Sequence, residues 1–305
     1  MAKNPYPLLT KSCVNFILIC FSISWLFWTP CLLEGAGKIE LSQGFFGLFY
    51  FLGGLGPIMS AIYIHYKDNE RLTQMNYSLG NLFASLLPNK SCFNRSILFA
   101  ALTPFAITVI ASKIYSLMIS SGDVPPYNWT NFLQGFVGTL MIIWFEEIGW
   151  RGVLYPRLAF IIGRYDLAGV ITGFAWGIWH WPLFFFSGGA LAITDTHITS
   201  WVHVASQYSS YVCTLTFLSV LMGWNQQQTT DKRNLFVQIV FHATFNASVH
   251  MLDLQRVAFF FPYLSFVSLL FMLIWKMVAN PKIYVESSPI FKEYLISNQK
   301  KKHQS

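Results

Sequence analysis

Charge is what this chain has least of. Only 11% of its 305 residues are Asp, Glu, Lys or Arg, less than half the roughly 25% of an ordinary globular domain. That scarcity excludes a typical water-soluble enzyme, whose surface must be covered by such groups. Cysteine is equally thin: Cys13, Cys20, Cys31, Cys92 and Cys213 form an odd set with no CxxC pair. Three of them share one apolar stretch, which fits buried thiols and not a disulfide framework.

Apolar residues fill the gap. They make up 54% of the chain, with 29 Phe and 11 Trp, and the mean hydropathy is +0.47. No single aqueous core hides so much apolar surface, so the solvent is a bilayer. Eight segments have the length needed to cross about 30 Å of hydrocarbon: approximately 13–33, 44–66, 97–119, 132–155, 167–187, 204–224, 235–252 and 257–278. The expected architecture is all-α, a multi-pass transmembrane helical bundle of about eight spans. The first segment follows Lys3 and Lys11 as a signal peptide would, but its apolar run is about twice the usual length of such a signal, and it reads as a retained span. Between the second and third spans, within polar 67–96, Leu79, Leu82, Phe83, Leu86 and Leu87 recur at helical spacing. They suit either a helix lying flat in the interface or a surface loop with one short helix.

The net charge of +7 admits nucleic acid, anionic lipid or membrane topology as its cause, and its distribution decides. With the N-terminus inside and alternating spans, 17 of the 20 basic residues fall on one side, leaving only Lys38, Lys113 and Arg256 on the other. Cytoplasmic loops carry such an excess. Both termini are therefore expected in the cytoplasm, and the charge needs no nucleic acid. The Lys300-Lys301-Lys302 run reads as a solvated tail.

Ionisable groups within apolar spans cost several kcal/mol unless they face a polar cavity, so each is a candidate for function. Most lie in three spans. The fourth carries Trp144-Phe145-Glu146-Glu147-Ile148-Gly149-Trp150-Arg151, the fifth Trp176-Gly177-Ile178-Trp179-His180-Trp181-Pro182, and the seventh Phe241-His242-Ala243-Thr244-Phe245-Asn246. In a helix, residues four apart share a face, so Glu147 can pair with Arg151, and His242 and Asn246 present an imidazole and an amide together. Glu146 is turned about 100° from Glu147 and can stay free for chemistry. Counted at about 1.5 Å per residue from the cytoplasmic ends, Glu146 lies about 13 Å deep, His242 about 11 Å and His180 about 20 Å. All three can meet in the inner half of the membrane around a polarised water, as peptide-bond hydrolysis requires.

Glu146-Glu147-x-x-x-Arg151, a following span whose motif ends in His180, and His242-x-x-x-Asn246 together resemble the CPBP intramembrane protease family, also called the Abi or CAAX protease family. It includes prenyl-protein endopeptidases of the Rce1 type and bacteriocin-processing or self-immunity proteins. The resemblance covers about Asn131 to Leu252. It implies that Glu146 is the base activating water, that His180 assists, that His242 and Asn246 line the oxyanion site, and that Glu147 and Arg151 support the geometry. The family is often labelled metalloprotease, and a metal-free glutamate mechanism has also been argued for its prenyl-protein branch. The expected cofactor is accordingly none or a divalent metal such as zinc, held by Glu146, His180 and His242; the HExxH helix of familiar zinc proteases is absent. One departure stands out: where the family usually has Phe, four residues before the His, this chain has Trp176.

The resemblance divides the chain into N-terminal spans over 1–130, a catalytic core over 131–252, and a last span with a basic tail over 253–305. The main alternative is a non-proteolytic immunity or regulatory scaffold of the same fold; a proton-coupled transporter is disfavoured because paired broken helices are not evident. No GxSG motif occurs and the sole Gly-Asp step, Gly122-Asp123, lies in a loop, which sets aside rhomboid- and presenilin-like chemistry. The expected partners are membrane lipids and a membrane-associated peptide or protein, with a prenylated CAAX tail, a leader peptide and a membrane-protein segment all open. The bacterial inner membrane is favoured over the endoplasmic reticulum, since His303 interrupts a dilysine signal. His65, His197, His203 and His250 match no motif, and Trp25, Trp28, Trp201, Trp224 and Trp275 read as interface anchors or helix packing.

Overall fold

The computed structural model describes residues 6–68, 79–90, 92–118, 127–184, 201–229, 234–252 and 260–286. Gly122-Asp123, His197, Lys300 to Lys302 and His303 lie outside them. The described chain runs α1 (Tyr6–Gly35), α2 (Gln43–Gly54), α3 (Gly56–Asp68), α4 (Leu79–Ala84), α5 (Arg95–Met118), α6 (Trp129–Glu147), a π-helical segment (Ile148–Leu154), α7 (Tyr155–Ile162), α8 (Tyr165–Trp179), a 3-10 turn (Trp181–Phe184), α9 (Trp201–Gln228), α10 (Phe236–His250) and α11 (Phe260–Ala279). Backbone polar groups satisfied within each segment are what a bilayer demands. The one β-bridge among the described residues is antiparallel, between Arg164 and Tyr284.

Over the described residues all eight apolar segments of the sequence contain helix, but they are not equivalent. Among the described residues, five helices are by length and composition apolar enough to cross a membrane: Leu9–Gly35, Gln43–Lys67, Arg95–Met118, Trp129–Ile162 and Phe260–Ala279. The expected fifth and seventh spans are α8 and α10, each of 15 residues, or about 22 Å of helix. Proline accounts for α8, because Pro182 follows shortly after His180 and has no N–H to continue the ladder. The expected sixth span, α9, has 28 residues but is interrupted by Gln207, Ser209, Ser210, Thr214 and Thr216. Of the eight expected spans, five are thus helices long and apolar enough to cross a membrane by themselves among the described residues. The second span also bends at Leu55, between Gly53-Gly54 and Gly56-Pro57.

Local signals set several helix ends. Asn128 caps α6, its side-chain oxygen accepting from Thr130 N at 3.0 Å and Asn131 N at 3.1 Å, which satisfies two N–H groups that no helical carbonyl can reach. α7 ends at Gly163, whose φ of 75° is left-handed backbone, a conformation that favours glycine. Beyond it Arg164 is held by both oxygens of Asp166, at 3.0 and 2.6 Å. Residues 283–285 cross this turn, with Tyr165 N donating to Ile283 O (2.7 Å) and Val285 N to Gly163 O (2.9 Å).

α8 packs against α9, α9 against α11, α10 against α5 and α6, and α1 against α2 and α3. The closest seam is α8 with α9. Gly169, Gly173 and Gly177, spaced four apart, face the α9 backbone so closely that a Cβ on Gly173 would sit 2.6 Å from Thr216 Cα. Such close approach is how helices associate where hydrocarbon offers no hydrophobic drive. The leucine-patterned stretch between α3 and α5 does not lie free in the interface. Its helix has six residues; Leu82 and Leu86 are buried in the core, while Ser85 O and Leu87 O accept from Leu235 N and Asn234 Nδ2.

Candidate active site

Glu146 and Glu147 end α6, and the backbone then widens into the π segment, whose seven residues are all buried. Such i→i+5 segments are rare and often mark functional sites. This one is enclosed on several sides. A Cβ on Gly149 would meet Pro57 of α3 at 2.6 Å, and Trp150 lies edge-on between Phe16 and Trp179, with ring centroids at 5.5 and 5.9 Å. Arg151 follows at 1% exposure.

The two carboxylates have different neighbours. Glu147, fully buried, uses Oε1 for two donors at once: Arg151 Nη1 at 3.3 Å and His242 Nδ1 at 2.9 Å. The pairing along the helix that the spacing implied is therefore present, with an interhelical partner on the same oxygen. An unpaired carboxylate here would bear a desolvation cost of several kcal/mol. Glu146 sits 30 residues from its partner: Trp176 Nε1 donates to Oε2 at 2.8 Å. No cation lies at ion-pair distance from Glu146 among the described residues.

Trp176 joins the remaining groups. The Arg151 guanidinium stacks 4.3 Å from its ring, a cation–π distance, and a second Arg151 nitrogen reaches Met222 Sδ at 3.2 Å. His242 meets the same indole edge-on at 4.8 Å. His180, one turn further along α8, places Nδ1 2.8 Å from Trp176 O. A carbonyl only accepts, so Nδ1 carries the proton and the neutral ring offers a lone pair at Nε2. His180 is further enclosed by Trp179 and Tyr211, edge-on at 4.7 and 5.5 Å. Asn246, one turn beyond His242 on α10, is half-buried.

The structure thus brings Glu146, Glu147, Arg151, His180 and His242 together around one indole, with Asn246 on the turn next to His242. Sequence reasoning missed Trp176 as the hub, and Met222 altogether. The sign for Trp176 was visible, an indole where the family usually has Phe; nothing local marks Met222. Also missed was the clamp from α1, in which Ser24 Oγ accepts from Trp179 Nε1 (2.7 Å) and Trp25 Nε1 donates to Trp179 O (3.0 Å). Trp28 and Trp224 are buried packing residues. His65 is half-buried and His250 exposed, outside the cluster.

The donors Glu146, His180 and His242 do not form a cage for a metal ion: among the described residues no three His, Cys, Asp or Glu side chains converge to hold one.

Comparison with known proteins reaches the same segment. Residues 127–248 match the family model for Type II CAAX prenyl endopeptidase Rce1-like proteins, four residues earlier at each end than the motifs outlined. The chain is also similar to CAAX prenyl protease 2 of Methanococcus maripaludis, with 23% identity over 255 residues, covering 79% of this chain and 85% of that protein. Both carboxylates, the arginine, both histidines and the asparagine fall inside the matched segment. Over residues 127–248, about two fifths of its length, the chain is similar to the Rce1-like type II CAAX prenyl endopeptidase family.

Proposed function

We propose that this protein is a membrane-embedded endopeptidase that hydrolyses a peptide bond in a membrane-associated or lipidated substrate, with a prenylated CAAX tail as the favoured class. The observation that carries the reading is the separation of the two carboxylates. Glu147 is paired directly with Arg151 and His242, while Glu146 has one oxygen on an indole N–H and, among the described residues, no cation at ion-pair distance. A carboxylate left without a counter-ion in an apolar site is a competent proton acceptor.

Glu146 takes a proton from a water whose other hydrogen is accepted by His180 Nε2. The water oxygen attacks the scissile carbonyl carbon, and the resulting oxyanion is stabilised by His242 Nε2–H and the Asn246 amide. Because His242 already donates from Nδ1 to Glu147, donation from Nε2 as well makes it the imidazolium, which Glu147 stabilises. Glu146 then returns the proton to the leaving nitrogen as the C–N bond breaks. The substrate enters from the cytoplasmic half, in a chain of eight membrane-inserted helices with both termini cytoplasmic; the arrangement of basic residues supports that orientation.

The test is a quantitative survey of protein N-termini in host membranes expressing wild type or Glu146→Gln at matched abundance. Termini that vanish in the variant are expected, and their sequences name the substrate class. Identical profiles, with a wild-type phenotype kept by the variant, would favour the binding scaffold.

A further inference from the structure

We propose that Trp176 is a positioning residue for Glu146, holding its Oε2 so that Oε1 is the atom that takes the proton from water; the assignment rests on the hydrolytic role of Glu146 given above. Three observations carry it. First, the indole N–H is the hydrogen-bond donor found at Glu146, at 2.8 Å and fully buried. A carboxylate bound by one oxygen in a water-poor site cannot swivel freely, and a charge-assisted bond of this kind is among the stronger ones. Oε2 is thereby committed. Glu146 Oε1 makes no hydrogen bond to a described residue and, unlike Glu147 Oε2, is not an enclosed orphan atom.

Second, the indole is itself immobilised. Trp176 is 1% exposed, its ring stacks under the Arg151 guanidinium at 4.3 Å and meets the His242 edge at 4.8 Å. A donor held on two sides transmits a fixed direction to its acceptor, as partners behind a reacting group do. Third, the same residue places His180, because its carbonyl accepts the Nδ1 proton four residues on. One residue of α8 thus orients both groups that flank the water, the carboxylate through its side chain and the imidazole through its backbone. Phe at this position keeps the ring for Arg151 and His242 and lacks the N–H. The device belongs to the tryptophan of this chain.

The experiment uses the full-length protein reconstituted in lipid nanodiscs with an internally quenched, prenylated CAAX peptide. Trp176→Phe is expected to lower kcat about 10- to 100-fold, the usual cost of losing such a partner, while KM stays within about twofold because substrate binding is untouched. Thermal unfolding of the variant should match wild type. A benzothienyl-alanine at 176, which replaces only the indole N–H by sulfur, should reproduce the kcat loss and excludes a change of ring shape as the cause. Wild-type kcat in the benzothienyl protein, with Glu146→Gln inactive, overturns the positioning role and leaves the role of Glu146 standing. A rise in KM with kcat unchanged in both position-176 variants also overturns it, since that assigns Trp176 to binding. A wild-type protein inert toward the peptide, or a Glu146→Gln protein as active as wild type, overturns the parent reading and this inference with it.

Discussion

Helix α8 presents two faces to two different environments. Along one run Gly169, Gly173 and Gly177, which let α9 approach to backbone contact. Along the other run Thr172, Trp176 and His180, all buried, of which Trp176 meets Glu146, Arg151 and His242. Both stripes repeat every four residues, so helical periodicity alone does not rank them. What distinguishes them is polarity. On the proposed reading the glycine seam is held by close packing alone, whereas the polar centre buries charge and holds the reacting carboxylate, Glu146. Damage to the seam should therefore reach function only through folding, and damage to the polar centre should reach function while the fold survives.

Substitutions of graded severity test that division. Glu146→Gln, the deepest cut into the polar centre, should lower the cleavage rate by about 10³-fold or more, at the upper end for loss of a general base, with membrane insertion and thermal unfolding unchanged. His242→Ala follows, with an expected loss of about 10²- to 10³-fold in kcat, typical of a missing oxyanion donor. Arg151→Met crosses the division. It strands a buried Glu147 carboxylate beside His242, so unfolding in detergent should show a loss of about 3–5 kcal/mol. Glu147→Gln in the same molecule should recover most of that stability and none of the activity. Gly173→Leu attacks the seam and should cost about 1–3 kcal/mol through overpacking, while the molecules that remain folded cleave at the wild-type rate. Gly163→Ala, at the left-handed turn before α8, should cost about 1–2 kcal/mol and leave kcat unchanged. A Gly173→Leu protein that stays fully folded but loses activity would show that the two faces are not separable.

Much of this organisation was legible in the residues. The eight apolar runs contain helix wherever they are described, and the four-residue spacing of Glu147 and Arg151 became a buried pair at 3.3 Å. What stayed hidden was either a matter of length or a matter of meeting. Pro182 shortens α8 inside a run that hydropathy reads as continuous, and Leu55 breaks the second span between glycines. The π segment has no sequence sign, because an extra residue in a turn leaves composition unchanged. The His242–Glu147 contact spans 95 residues and the Trp176–Glu146 bond 30, so no local pattern encodes either. The six polar residues were readable because charge in an apolar run is costly and conspicuous. Their hub was not, because tryptophan is common in such runs.

The most direct measurement is the cleavage rate of one prenylated CAAX peptide by reconstituted wild type, Glu146→Gln and Glu147→Asp, followed side by side with thermal unfolding. Wild type should cleave, Glu146→Gln should be inactive yet as stable as wild type, and Glu147→Asp should lose stability before activity. Turnover by Glu146→Gln at the wild-type rate would contradict the central claim that the carboxylate free of Arg151 and His242 is the one that activates water.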